Sequence, residues 1–354
     1  RETLQGVCAS SPWEARLGRE TFGGEVHSFA AAFKERDIVE LLSISDHLVF
    51  NSFSQLECFR PLWEQERNRV SIGLRVNPEH SEGHTEIYDP CAKNSRLGIP
   101  RREFDGKSLA GVEGLHFHTL CEHLFEPLAR TAKAFEEKFG EFLPGMQWLN
   151  LGGGHHITRA GYDIDGLVDL VKYFRDKYDV EVYLEPGEAV VIGTGLLVGE
   201  VLDVVPNEIE TAILDVSATC HMPDILEMPY RPEVFGGYDP GVKQNSYRLG
   251  GPSCLAGDII GDWSFVRPLT AGDRLAFREL VLDHSQAMFR VAWRLAGEQA
   301  AADDIVQEAF IKAWQNIGRF RMESSFRSWV SRITVNTAMD YLRKQARDRN
   351  HTAA

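Results

Sequence analysis

The chain has 354 residues, 43% hydrophobic and 25% charged, with a formal net charge of −14, enough to bury a large core in one large domain plus a small one, or in two to three domains. No apolar run approaches the length of a membrane span and no basic head precedes an apolar core, so neither a transmembrane segment nor a signal peptide is read and the cytoplasm is the expected compartment. The charge is uneven: residues 278–354 carry 12 Lys/Arg and 9 Asp/Glu against 26 and 43 in residues 1–277, so the acidic body repels nucleic acid while the end can approach a polyanion.

In chain order, short apolar runs rich in β-branched or aromatic residues alternate with amphipathic stretches. The runs are GVCAS (6–10), EVHSF (25–29), HLVFNS (47–52), SIGLRVN (71–77), GLHFHT (114–119), WLNLGGG (148–154) and EVYLEP (181–186). Between most of them lie stretches with helical spacing, such as SPWEARLGRETF, FSQLECFRPLWEQE and EHLFEPLARTAKAFEEKFG. This alternation predicts a parallel sheet with helical crossovers, either a TIM-like barrel one strand short or an open doubly wound sheet. After Gly193 the segments LLVGEVLDVVP, ETAILDVSAT, YRLGGPSC, DIIGDWSFVRP and DRLAF follow without intervening helices and predict an antiparallel β domain. From Arg278 to Arg347 the patterns are helical. Val306, Phe310 and Ala313 fall at i, i+4, i+7 of one helix. In the last, Phe326, Val330, Ile333, Thr337 and Tyr341 form an inward stripe with Arg332, Asn336 and Arg343 displayed outside it. The expected domains are 1–194, 195–277 and 278–354.

Several residues carry candidate chemistry. Gly152, Gly153 and Gly154 end a predicted strand and are read either as a plain turn or as a backbone cradle for a phosphate. Glu185, before a Pro-Gly turn, is either a salt-bridged strand-end carboxylate or the partner of a pyridine nitrogen in an electron-sink cofactor. His116 and His118 are read as pointing to opposite sides of their strand, with His118 either a satisfied core residue or a ring that stacks on a flat cofactor. Cys254 is either a buried thiol near a turn or an acid that returns a proton. No zinc ligand spacing is recognised and no metal is expected. The six cysteines (Cys8, Cys58, Cys91, Cys121, Cys220, Cys254) form no C-x-x-C pair and are expected to be reduced thiols.

Taken together, C-A-S-S…E-A-R-L-G, N-S…S-Q-L, G-L-R-V-N-P, S-R-L-G, H-F-H-T, L-G-G-G-H, E-P-G-E and G-G-P-S-C-L-A-G-D resemble the fold-type III pyridoxal-phosphate decarboxylases, and within them the carboxynorspermidine decarboxylase branch, over about residues 4–277. The resemblance implies a TIM-like barrel followed by a β domain, in a homodimer whose subunits share active sites. It implies that His118 stacks on the ring of pyridoxal 5'-phosphate, Gly152, Gly153 and Gly154 hold its phosphate, and Glu185 pairs with its pyridine nitrogen. Cys254 (as proton donor) and Asp258 enter the partner's site. The substrate is carboxynorspermidine or carboxyspermidine, with Asp224 and Asp258 as substrate-binding residues and Asp215 and Glu227 as further acidic candidates. The family's Schiff-base lysine falls before Leu4, so impaired activity is expected of the chain as given.

HSQAMFRVAWRLAG, DDIVQEAFIKAW and FRMESSFRSWVSRITVNTAMDYLRK resemble region two of the extracytoplasmic-function RNA polymerase sigma factors. This implies polymerase contacts through Asp304, Gln307 and Glu308, and contacts to minus-ten promoter DNA through Arg332 and Asn336. The junction near Phe277 has no Gly/Ser linker and points to a chimeric or fused reading frame.

Overall fold

Each of the seven runs in the first half becomes a strand: β1 (Gly6–Ala9), β2 (Glu25–Phe29), β3 (His47–Phe50), β4 (Ser71–Arg75), β5 (Gly114–His116), β6 (Trp148–Asn150) and β7 (Glu181–Tyr183). The computed structural model describes residues 4–83, 85–192, 195–278, 285–315 and 326–352, in two compact units, Arg1–Val190 and Val191–Ala354.

In the first unit every strand pairs in parallel with the next, in the order β1-β2-β3-β4-β5-β6-β7. A doubly wound sheet reverses its strand order at a switch point, whereas a barrel winds in one direction. The sequential order therefore selects a curled, parallel half-barrel over the open sheet. Helices α1 (Pro12–Leu17), α2 (Glu35–Ile44), α3 (Phe53–Cys58), α4 (Arg60–Trp63), α5 (Phe125–Phe139) and α6 (Ile164–Tyr178) lie in the crossovers, the described residues of the β4–β5 connection have only short 3-10 turns, and α7 (Gly187–Val191) follows β7. Their boundaries follow local chemistry. Ser11 caps α1 by accepting from the Glu14 N–H, with Pro12 in the first turn, and Asp163 caps α6 through the Gly166 N–H. On α5, Leu128, Thr131, Ala132, Phe135 and Phe139 are buried at helical spacing, and their apolar members join a core that also holds Leu48, Leu74 and Trp63. The indole N–H of the fully buried Trp63 donates to the Leu56 carbonyl at 2.9 Å.

The second unit contains β8 (Leu197–Val205), β9 (Thr211–Leu214), α8 (Ala218–His221), α9 (Asp224–Glu227), β10 (Glu233–Val234), β11 (Asn245–Gly250), β12 (Ile259–Phe265), β13 (Arg274–Arg278), α10 (Ser285–Ala296), α11 (Gln299–Gln315) and α12 (Phe326–Thr352). Two expectations need correction. The sheet, in the order β10-β13-β8-β9-β11-β12, is mixed rather than antiparallel, because β9 and β11 run parallel; the long connection over residues 215–244 gives the chain room to return in the same direction. Nor are helices absent between the strands. The predicted strand ETAILDVSAT stops at Leu214, and Ser217 turns the chain into α8 by accepting from the Cys220 N–H.

The three last helices share a core of Met288, Ala292, Ile305, Val306, Ala313, Val330 and Ala338, with Leu196 and Phe235 packed against it. The predicted inward positions Val306, Ala313, Val330 and Thr337 are buried, while Ile333 and Tyr341 are half-buried. Arg332, Asn336 and Arg343 are exposed; the side chains of Phe310 and Phe326 lie outside the described residues. No helix among the described residues is long and apolar enough to cross a membrane.

Candidate active site

In a one-way parallel sheet the C-terminal strand ends form one rim, and that rim collects residues far apart in sequence. Here it carries a cavity of about 510 Å³, whose walls include Cys8, Arg75, His116, His118, Asn150 and Glu185. Glu185, just beyond β7, is the hub. Its Oε2 accepts from His118 Nδ1 at 3.1 Å, its Oε1 accepts from Asn150 Nδ2 at 2.8 Å, and His116 Nε2 stands 3.6 Å from Oε1. Burial alone would raise this carboxyl, but the electrostatic pull of His116 and the hydrogen bond and charge of His118 outweigh it and hold Glu185 well below the usual carboxylate range.

His116 and His118 thus approach the same carboxylate, which corrects the expectation that they face opposite sides: residues two apart on an extended strand share a face. Together with Glu185 they bring three donor atoms within 4.8 Å of one another, a third partner that spacing along the chain could not reveal. His116 is 2% exposed and neither ring nitrogen has a hydrogen-bond partner.

The glycine run lies behind this hub and is not among the residues that line the cavity. The Gly152 N–H donates to Asn150 Oδ1 at 2.8 Å, and the Glu185 N–H donates to the Gly152 carbonyl at 2.8 Å. The Gly153 N–H points at His118 Nδ1 from 3.3 Å. That nitrogen cannot both donate to Glu185 and accept from Gly153, and the shorter contact to an ionised carboxylate assigns it the proton. At Gly153 an added Cβ would lie 2.0 Å from the Glu185 carbonyl oxygen, and at Gly154, with φ +75°, 1.8 Å from that of Leu120. Glycine is therefore demanded there by close backbone approach.

Arg75 and Asn150 belong to the site and were not singled out from the sequence. Arg75 is 6% exposed, donates to the His118 carbonyl at 2.7 Å and lies over the Phe29 ring at 4.5 Å. Burial lowers its guanidinium to about 10. The available signal was a charge inside a buried strand run, SIGLRVN, and an amide inside WLNLGGG. Cys8 is exposed and lines the cavity; the atoms packed around it first, then the charge of Glu185, push its thiol up.

Two further buried histidines set an acid response. Burial, then the charge of His27, lowers His47 to about 3; burial, then the charge of His118, lowers His155 to about 4. Both stay neutral when folded yet take up a proton when unfolded near pH 6.5. Their contribution to stability is complete above about pH 6.5 and is lost as pH falls toward 4 and then 3. Urea titrations should show the unfolding free energy dropping below pH 6.5, with a shallower slope in His155→Gln; a flat profile from pH 6.5 to 4 would refute this.

In the second unit, Cys254 is exposed on the loop between β11 and β12. Asp258, at the end of that loop, is 2% exposed, and its carboxylate accepts from the Ser253 and Thr219 N–H groups. Asp224 is half-buried at the start of α9, Glu227 is exposed at its end, and exposed Asp215 accepts from the Glu200 N–H. All six cysteines are free thiols. On α11, Asp304 and Glu308 are exposed and Glu308 pairs with Lys312 at 2.9 Å; the Gln307 side chain lies outside the described residues. Arg332 and Asn336 lie one turn apart on α12.

Comparison with known proteins agrees with this geometry. Residues 280–348 match Sigma-70 region 2. A segment of 81 residues is 38% identical to the RNA polymerase sigma-H factor of Pseudomonas aeruginosa and spans 42% of that protein. The carboxynorspermidine/carboxyspermidine decarboxylase of Campylobacter jejuni is 43% identical over 291 residues, 79% of this chain and 75% of that protein. The carboxyaminopropylagmatine decarboxylase of Synechocystis is 43% identical over 283 residues, 79% of this chain and 73% of that protein. The crystal structure of the Campylobacter jejuni carboxynorspermidine decarboxylase complexed with norspermidine superimposes with a TM-score of 0.68 at 42% identity, covering 79% of this chain and 76% of that one. Residues 44–280 match the family described as pyridoxal-dependent decarboxylase, C-terminal sheet domain, and with the half-barrel, the second sheet and the half-buried carboxylate at the strand ends, the chain belongs to the pyridoxal-dependent decarboxylases.

Proposed function

We propose that the chain binds pyridoxal 5'-phosphate at the ends of β5, β6 and β7 and decarboxylates carboxynorspermidine or carboxyspermidine as a homodimer. The observation that carries this reading is Glu185, an ionised carboxylate held by His116, His118 and Asn150 at a cavity wall. The residues present fit the cofactor: a carboxylate for a pyridine nitrogen, a flat imidazole at His118 on the cavity wall, and a glycine run beside it where an added Cβ would meet backbone. When bound, the cofactor supplies an electron-withdrawing ring for the electrons left by departing CO₂. Glu185 would keep the proton on the ring nitrogen, His118 would face the ring, and Gly152, Gly153 and Gly154 would hold the phosphate. In the homodimer, Cys254 would enter the partner subunit's site and return a proton to the carbon that has lost its carboxylate. Asp224, with Asp215 and Glu227, would receive the ammonium groups of the polyamine from the same side as Cys254.

No lysine is among the described residues that line the cavity. Residues 4–352 are therefore expected to retain the cofactor noncovalently and to turn over slowly. The test is an absorbance spectrum with pyridoxal phosphate before and after borohydride, mass analysis of the product, and CO₂ release from carboxynorspermidine, carboxyspermidine and carboxyaminopropylagmatine. Retention without a trapped adduct, with slow CO₂ release from the first two, is the expected result. An adduct on one lysine with fast turnover would overturn the impairment, and no retention at all would overturn the cofactor site.

A second reading rests on the match of residues 280–348 to Sigma-70 region 2. In it, α11 binds core RNA polymerase through Asp304, Gln307 and Glu308, and Arg332 and Asn336 contact single-stranded minus-ten DNA. Binding of this chain to core polymerase, with salt-sensitive capture of a minus-ten oligonucleotide that weakens in Arg332→Ala, is the expected result. Absence of polymerase binding at low salt would remove this reading.

A further inference from the structure

We infer that Asp258 is a positioning residue: its buried carboxylate clamps the loop that presents Cys254 and does not itself touch the substrate. The inference rests on the proton-donor role proposed for Cys254 and deepens it.

Gly250 pairs with Ile259, so residues 251–258 form the loop of the β11–β12 hairpin. That is longer than the tight turns whose backbone geometry fixes their own apex. The base of the loop is closed by the backbone: the Gly251 N–H donates to the Asp258 carbonyl at 2.9 Å, and the Asp258 N–H to the Leu255 carbonyl at 2.9 Å. The side chain closes the interior. Asp258 Oδ2 accepts from the Ser253 N–H at 3.3 Å and Oδ1 accepts from the Thr219 N–H at 3.3 Å. One carboxylate therefore ties two separate segments, the loop and the first turn of α8.

The clamp is packed as well as bonded. Asp258 is 2% exposed, and Ser217, the cap of α8, is 3% exposed. A Cβ added at Gly251 would stand 2.2 Å from Asp258 Oδ2 and 2.7 Å from Ser217 Cα, so glycine is required where the loop passes the carboxylate. Both Asp258 oxygens are engaged by amides inside the fold, and at 2% exposure the carboxylate offers an incoming ammonium group almost no open surface. Above this anchor the apex is open: Cys254 is exposed and Leu255 is 52% exposed. The geometry is that of a thiol displayed outward on a loop held from beneath.

The test uses the full chain with Asp258→Ala and Asp258→Asn. The rate of Cys254 alkylation by iodoacetamide is measured by peptide mass relative to exposed Cys58 on α3, alongside kcat and KM for CO₂ release with added cofactor. For Asp258→Ala the Cys254 to Cys58 ratio should change at least about threefold, and kcat should fall about tenfold with KM within about twofold. Asp258→Asn keeps the shape and one acceptor oxygen, so it should fall between Asp258→Ala and the parent on both readouts. If Asp258→Ala does not fold, Asp258→Asn carries the same two measurements. An unchanged alkylation ratio together with a raised KM and an unaltered kcat would overturn the clamp and make Asp258 a substrate contact. A changed ratio in a chain whose unsubstituted form releases no CO₂ would uphold the clamp and count against the decarboxylase reading alone.

Discussion

Replacing Glu185 by Gln is expected to lower kcat for CO₂ release by about 10³-fold or more while the chain still folds. Gln keeps the volume and the acceptor for Asn150 but removes the negative charge that holds a ring-nitrogen proton. It also changes the surroundings of His118, whose Nδ1–H loses an ionised acceptor at 3.1 Å. Taking the charge from beside His116, which is 2% exposed, costs about 1–3 kcal/mol. Glu185→Asp should recover little, since its shorter side chain pulls the carboxylate away from His118 and Asn150. Steady-state CO₂ release and a urea melt measure both effects. Near-normal kcat in Glu185→Gln would show that Glu185 is a structural carboxylate only.

Gly153→Ala should produce the second large loss, with a different signature. The new methyl would meet the Glu185 carbonyl oxygen at 2.0 Å, so the end of β7 must move. A displacement there carries Glu185 away from His118 and disturbs the Gly152 carbonyl that accepts from the Glu185 N–H at 2.8 Å. Overpacking of this kind typically costs about 1–3 kcal/mol. Cofactor affinity, read by equilibrium dialysis of pyridoxal phosphate, is expected to weaken at least about tenfold, because misplacing a preorganised group by a fraction of an ångström removes much of its effect. Unchanged affinity would mean that the glycine run packs the strand ends without shaping the cofactor site.

The sequence carried much of this fold, for identifiable reasons. All seven strands of the half-barrel lie inside the apolar runs GVCAS through EVYLEP; the inner ones, β2 to β6, are largely buried on both faces, which needs a continuous apolar run bounded by breakers. Local composition could not report direction of pairing, so the parallel contact of β9 with β11 was invisible. Nor did it report that Ser217 would end an extended segment by capping a helix. The site was legible in its parts: His118 and Glu185 were singled out, yet their junction joins residues 67 apart and exists only once β5 and β7 flank β6. Arg75 and Asn150 were missed because they sit inside motifs read for their apolar and glycine neighbours. The face shared by His116 and His118 was misread from their spacing.

Strand order also bears on when each unit can finish folding during synthesis. In the half-barrel every strand after β1 pairs with the one made just before it, so the sheet can grow one crossover at a time as the chain emerges. The second sheet cannot. Its strand β8 lies between β9 and β13, and β13 is the last strand to be made. One edge of β8 therefore waits, unpaired, for the residues that lead directly into the C-terminal helices. That open edge exists for the time the ribosome takes to add about seventy residues, a few seconds to about fifteen at ordinary elongation rates, and it is the interval in which a nascent chain of this architecture is most exposed to pairing with a neighbour.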